Sequence, residues 1–222
     1  MQTSSRSAVD PFIVMDVMEA ARAAEAAGRH IIHMEVGQPG TPAPAGARAA
    51  LARAMEEDAL GYTVALGLPA LRSRIVRHYA DKHSVDLDPA RVIVTAGSSG
   101  AFLLAFTALF DPGARVGVGD PGYPSYRQVL KALSLTPVGI QTQAAHRYQP
   151  VPADLPADLD GLIVASPANP SGTMLDKPAL AALIEATTAR GAAFVSDEIY
   201  HGIEYDSPAV SALEITDDVY VI

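Results

Sequence analysis

Four short stretches hold residue types that could do chemistry together: "TAGSSGA" (95–101), "DPGYPSY" (120–126), "SPANPSGT" (166–173) and "VSDEIYHG" (195–202). The first is a glycine-rich turn that opens a helix. Unpaired N–H groups and a partial positive charge make such a start a cup for phosphate. The dipole alone contributes only ~0.3–1 kcal/mol, up to ~2 when partly buried, so several N–H groups must act together. Gly97, Ser98 and Ser99 would line this cup, with two serine hydroxyls as extra donors. A plain capped helix would read the same way. In the second stretch Tyr123 sits in a Pro-Gly-Tyr-Pro turn, where its face could cover a flat ring or simply pack. In the third, Asn169 lies between Pro167 and Pro170, held so that its amide could donate to a phenolate or carboxylate with little entropy to lose. A structural turn is the competing reading. In the fourth, Asp197 ends an apolar strand where an unpaired carboxylate is costly, and no Lys or Arg stands near it in the sequence. Tyr200 follows three residues later, close enough to share its ligand, while a helix-capping role for Asp197 is the alternative.

The elements that must carry these residues alternate. Residues 11–28 read as an amphipathic helix with Pro11 in its first turn and Gly28 as its stop. A strand "IIHMEV" follows, then the connector "GQPGTPAPAG". Helical patterns cover 45–58 and 68–83. Beyond them, "RVIVTA", "RVGVG", "LTPVGIQT", "DGLIVAS", "AAFVSDE" and "DDVYVI" read as strands. Between them "SSGAFLLAFTALF", "YPSYRQVLKAL" and "KPALAALIEATTAR" read as helices, the first apolar enough to be buried. Continuous apolar strands separated by helices predict a mostly parallel α/β sheet covered on both faces, a three-layer α/β/α sandwich. Ligands of such sheets collect outside the carboxyl ends of the strands, where all four stretches fall.

Two familiar patterns fail on context. "GVGDPG" (117–122) spells a dinucleotide fingerprint, but Gly117 and Gly119 lie inside the strand and Pro121 breaks the turn. "GSSGA" misses a hydrolase nucleophile elbow by one residue, Ala101. Ser99, Asp197 and His201 do occur in hydrolase order, yet the last two are only four apart, whereas hydrolase acid and base come from separate loops. The six histidines form no metal pattern, and the absence of cysteine excludes disulfides, zinc–thiolate sites and a thiol nucleophile. A net charge of −9 without a basic run argues against nucleic acid and anionic membranes. No apolar run reaches the ~18 residues of a membrane span. The opening residues lack the apolar core of a signal peptide, which points to a cytoplasmic protein.

A phosphate cup, a ring cover, a donor for a ring oxygen and a buried acid in need of a cation together describe pyridoxal 5′-phosphate. With "VGQPGTPAP" and "GYTVALGLPALR" added, six motifs stand in the order and spacing of a known family, from about residue 11 onward. The chain resembles the class I and II aminotransferases of the fold type I pyridoxal-phosphate enzymes. The resemblance implies that Asp197 pairs with the ring nitrogen and that Asn169 and Tyr200 hold the ring oxygen. It implies that Tyr123 stacks on the ring and that Gly97, Ser98 and Ser99 bind the phosphate. Gly37 would lie by the substrate carboxylate, and Asn169 would also contact substrate. Tyr62 would reach the cofactor of a neighbouring subunit, which implies a homodimer. The implied reaction is a ping-pong exchange of an amino group between an L-amino acid and a 2-oxo acid. A carbon–sulfur lyase or a cyclopropane-carboxylate synthase of the same fold would keep these motifs. A cofactor-binding regulator on this fold usually carries a DNA-binding domain, and no basic helix-turn-helix is visible. Residues 1–45 are expected to form an N-terminal arm with part of a small domain, and 46–222 an incomplete cofactor-binding large domain. The family's Schiff-base lysine is expected beyond Ile222. Lys82 and Lys131 sit within helical patterns, and Lys177 begins a helix, so none stands at the end of a strand.

Overall fold

The structure, a computed structural model, describes residues 2–222 and divides into two compact units, residues 11–65 and residues 2–10 with 66–222. The first unit contains α1 (Ile13–Ala26) and α2 (Ala45–Glu57), neither with a buried residue. Pro11 stands just ahead of α1 rather than in its first turn, because Phe12 is the N-cap; Gly28, at φ +83°, follows the helix end as expected. The expected strand "IIHMEV" does not form. A strand exists only by pairing, and here the local partners are side chains: His33 bridges Glu35 at 2.7 Å and Glu25 at 2.9 Å. Hydrogen bonding to Glu35, and then to Glu25, raises the His33 pKa to about 9.

The second unit holds a five-stranded parallel sheet in the order β2-β1-β3-β4-β5, with β1 Arg115–Asp120, β2 Thr136–Gln141, β3 Gly161–Ala165, β4 Ala193–Asp197 and β5 Tyr220–Val221. Helices α3 (Pro69–His83), α4 (Gly97–Leu109), α5 (Pro124–Ala132) and α6 (Lys177–Thr188) accompany it. Successive strand residues point to opposite faces, and the core divides accordingly. Val116, Val118, Ile163 and Val195 pack with Phe102, Phe106, Tyr126 and Leu130 of α4 and α5. Leu162, Val164 and Phe194 pack on the other face with Leu180, Leu183 and Ile184 of α6. The three-layer α/β/α arrangement is therefore present, and each apolar strand run is explained by burial on both sides.

Gly117 shows why the dinucleotide reading fails. A Cβ there would come within 2.9–3.0 Å of Ile140, Leu159 and Leu162, so the missing side chain makes room for core packing. Two further expectations are corrected. "RVIVTA" is extended but joins no ladder among the described residues; its tie to the preceding loop is Val94 N–H to Leu66 O at 3.0 Å. Helix α4 is buried on one face only: Phe106 is fully buried, whereas Leu104 is 59% exposed. Its composition is apolar all round, but only one face meets the sheet. Among the described residues no helix is long and apolar enough to cross a membrane.

Candidate active site

The carboxyl ends of β1, β3 and β4 deliver three of the four stretches. Strand β3 runs into the turn bearing Asn169, and β4 ends on Asp197 with Tyr200 in the turn beyond. The strands pair with Ala165 opposite Asp197, and the Ser166 amide continues the ladder to the Asp197 carbonyl at 3.1 Å. That register brings the two turns together: Asn169 Nδ2 donates to the Tyr200 hydroxyl at 3.3 Å. Peptide bonds Ser166–Pro167 and Asn169–Pro170 are cis, as is Asp120–Pro121 ahead of Tyr123.

Asp197 is 4% exposed and has no cationic partner among the described residues. One carboxylate oxygen accepts from the Tyr126 hydroxyl and the other from the Ile199 amide at 3.2 Å. The capping alternative thus survives as a local turn, with no helix behind it. Burial pushes the Asp197 carboxyl above its ordinary range, and the two donors recover only part of that shift. Tyr126 is driven far up by burial and by the adjacent carboxylate, so it remains a donor. Each carboxylate oxygen therefore accepts one hydrogen bond, and neither meets a counter-charge among the described residues.

Tyr126 also organises the neighbourhood. The Tyr123 ring stands nearly perpendicular to it, at 83° and 5.4 Å between centroids, and Phe102 packs against it at 5.2 Å. Phe102 lies one turn along α4 from Ser98 and Ser99, which places the start of α4 near the Tyr126–Asp197 pair. No side chain caps the first turn of α4; Gly97 takes φ +73°, Ser98 is half-buried and Ser99 exposed. The Gly97 amide donates to the Thr95 carbonyl at 2.9 Å, and no capping side chain accepts from the amides of Ser98 and Ser99. A small cavity is lined by Tyr123, Tyr126, Tyr148, Gln149 and Asn169.

Sequence reasoning missed Tyr126, Gln149 and the anchoring role of His201. Tyr126 carried a faint signal, one helical turn beyond Tyr123. Gln149 carried none: it is 3% exposed and its amide donates to the carbonyls of Ala165 and Thr173 at 3.2 and 3.0 Å, bracing the Asn169 turn. The hydrolase arrangement is not assembled, since His201 bonds the Ser166 carbonyl and Asp197 is held by Tyr126 and Ile199. Gly37 and Tyr62 belong to the separate 11–65 unit, where both are exposed. Lys82, Lys131 and Lys177 are paired with Glu204, Asp10 and Glu214, away from Asp197.

The family model for aminotransferase class I and II matches residues 29–222. The valine–pyruvate aminotransferase of Mycobacterium tuberculosis is 43% identical over 203 residues, a span covering 90% of this chain and 52% of that protein. A crystal structure of a putative aminotransferase from Silicibacter pomeroyi shares 66% identity at a TM-score of 0.91, covering 100% of this chain and 57% of that one. An aminotransferase structure from Mycobacterium tuberculosis shares 40% at a TM-score of 0.94, covering 100% and 58%. The chain thus spans about half the length of the relatives it matches.

Proposed function

Because the chain belongs to the class I and II aminotransferase family, we propose that it forms the cofactor cradle of a pyridoxal-phosphate-dependent aminotransferase. The reaction is the exchange of an amino group between an L-amino acid and a 2-oxo acid. The observation that carries this reading is Asp197, a buried carboxylate without a cation beside the Asn169–Tyr200 pair. Pyridoxal 5′-phosphate fits these residues: its ring nitrogen offers the cation, its ring oxygen an acceptor, and its phosphate an anion for the uncapped start of α4.

When bound, the cofactor supplies an electron sink for the electrons left when a bond at the substrate α-carbon breaks. Asp197 keeps the ring nitrogen protonated, because a carboxylate within ~4–6 Å raises the pKa of a cationic partner, at ~1.4 kcal/mol per unit. Asn169 Nδ2 and the Tyr200 hydroxyl donate to the ring oxygen and stabilise its charge. Tyr123 covers the ring face. Gly97, Ser98 and Ser99 hold the phosphate, while Gly37 and Asn169 receive the substrate carboxylate. Tyr62 reaches the phosphate in the neighbouring subunit of a cytoplasmic homodimer. The division into residues 1–45 and 46–222 is part of the same proposal. The cofactor-bearing lysine is none of Lys82, Lys131 and Lys177, each of which lies against Glu204, Asp10 or Glu214 rather than Asp197.

The test is the pair of half-reactions in the full-length protein that carries this chain. Loaded with pyridoxal phosphate, it should convert L-valine to its 2-oxo acid and then pass the amino group to pyruvate, the pair named for the Mycobacterium tuberculosis relative. Failure of every L-amino acid in a panel to change the cofactor spectrum would refute the reading.

A further inference from the structure

Behind the Asn169–Tyr200 pair lies a buried polar cluster that the proposed reaction does not use. His201 Nε2 lies 3.0 Å from the Ser166 carbonyl oxygen. A carbonyl only accepts, so Nε2 carries the proton. The other ring nitrogen, Nδ1, faces Glu198 Oε2 at 3.5 Å, with side-chain exposures of 10% and 3%. Glu198 is itself anchored: Oε1 accepts from Ser196 Oγ at 2.9 Å and from the Ala212 amide at 2.7 Å, while its own amide donates to the Ile222 carbonyl at 2.7 Å. Oε2 has no hydrogen-bond partner, and with the proton on Nε2 the Nδ1 lone pair gives it none.

Ser166 is the first residue beyond β3 and leads directly into the Pro167–Asn169–Pro170 turn. All of its polar groups are committed: the amide to Asp197 O, the hydroxyl accepting from Leu175 N–H at 2.9 Å, and the carbonyl to His201. His201 is the neighbour of Tyr200. A single side chain thus spans from the segment that holds one ring-oxygen donor to the segment that holds the other.

We propose that His201 is a positioning residue that sets the separation of Asn169 and Tyr200 by tying the Ser166 carbonyl to the β4 turn. The inference rests on the reading that these two residues grip the cofactor ring oxygen. The 3.3 Å contact between Asn169 and Tyr200 leaves little slack, and a buried bond of fixed length removes more of it than packing would. Other charged or titratable groups around His201 do not compete for the Ser166 carbonyl. His83 of α3 lies 5.6 Å away ring to ring and bonds Glu214 instead. Glu204 is occupied by the Gly202 amide and Lys82, and Asp197 by Tyr126 and Ile199.

The experiment uses the full-length apo-protein carrying this chain, titrated with pyridoxal phosphate and followed by absorbance. Two quantities are read: the dissociation constant and the pH midpoint of the bound cofactor's spectrum. His201→Phe removes the donor and keeps a ring; His201→Gln places an amide N–H close to where Nε2 stood. His201→Phe should weaken cofactor binding several-fold and raise the spectral midpoint, as is expected of Asn169→Ala, while His201→Gln stays near wild type. If Asn169→Ala raises the midpoint but folded His201→Phe leaves it unchanged, the positioning role is overturned while the ring-oxygen reading stands. If neither Asn169→Ala nor Tyr200→Phe moves it, the ring-oxygen reading falls and the inference falls with it. Should His201→Phe not fold, His201→Asn, too short to reach Ser166, gives the same readout, and a wild-type midpoint there overturns the proposal.

Discussion

A carboxylate that is 4% exposed and faces no cation should burden the folded protein until a ligand supplies one. The sign follows from linkage. Burial raises the Asp197 pKa above its ordinary 3.8, so the folded state binds that proton more tightly than the unfolded state. Stability from this group is therefore greatest below 3.8 and is lost as pH rises through the folded value. Asp197→Asn removes the charge and keeps one acceptor for the Ile199 amide, while its new NH2 faces the Tyr126 hydroxyl, whose oxygen can accept. In the apo-protein near neutral pH it should raise the melting temperature, by roughly 2–4 °C for each kcal/mol relieved in a domain of this size. The same variant should bind cofactor more loosely and lose turnover by orders of magnitude, because the ring nitrogen no longer keeps its proton. Calorimetry of the apo form beside steady-state kinetics of the loaded form checks both halves; unchanged kinetics would remove the ring-nitrogen role. Asn169 and Tyr200 permit a second test. Donors to the ring oxygen withdraw charge from it and loosen its hold on the proton it shares with the adjacent nitrogen. Asn169→Ala and Tyr200→Phe should each raise the spectral midpoint, read by absorbance against pH.

At the scale of elements, position is decided by what each strand and helix packs against. Strand β1 sits between β2 and β3, and at Gly117 the neighbouring side chains occupy the volume a Cβ would need. Gly117→Val should cost about 1–3 kcal/mol by overpacking. Denaturant unfolding would show this as a lower midpoint, and it should leave the cofactor's spectral midpoint unchanged because Asp197 lies on β4. Patterning identified β1 to β4 and their helices from the sequence, since apolar runs of that length need burial on both faces. The same rule misled at "RVIVTA" and "IIHMEV", which have strand composition but no ladder partner among the described residues. It overstated α4, whose Leu103 and Leu104 are apolar without being buried.

For the whole molecule, the three lysines are the decisive inventory. Each is held in an ion pair, to Glu204, Asp10 and Glu214, and none contacts the Asp197 pocket. Borohydride reduction of the cofactor-loaded full-length protein, followed by peptide mapping, should place the label on none of Lys82, Lys131 and Lys177. Stoichiometric labelling of any one of them, with activity lost in its alanine variant, would relocate the site. The same preparation tests the assembly: Tyr62→Phe should weaken cofactor binding in a dimer, and sedimentation measures whether that dimer exists.

The residue types of the proposed site are legible in the sequence because each has a local cause: prolines around Asn169, a glycine turn before Ser98, an acid ending an apolar run at Asp197. So is the α/β class, which follows from burial on two faces. The partners of those residues are not legible. Tyr126 reaches Asp197 from 71 positions away, and Gln149 braces the Asn169 turn from another loop. His201, read from sequence as a failed member of a triad, became an anchor only once β3 and β4 were paired in register and brought the Ser166 carbonyl within its reach. Local sequence specifies backbone conformation and the chemistry a side chain can offer. Which donor meets which acceptor depends on strand order and register, and those are set by packing across the whole sheet.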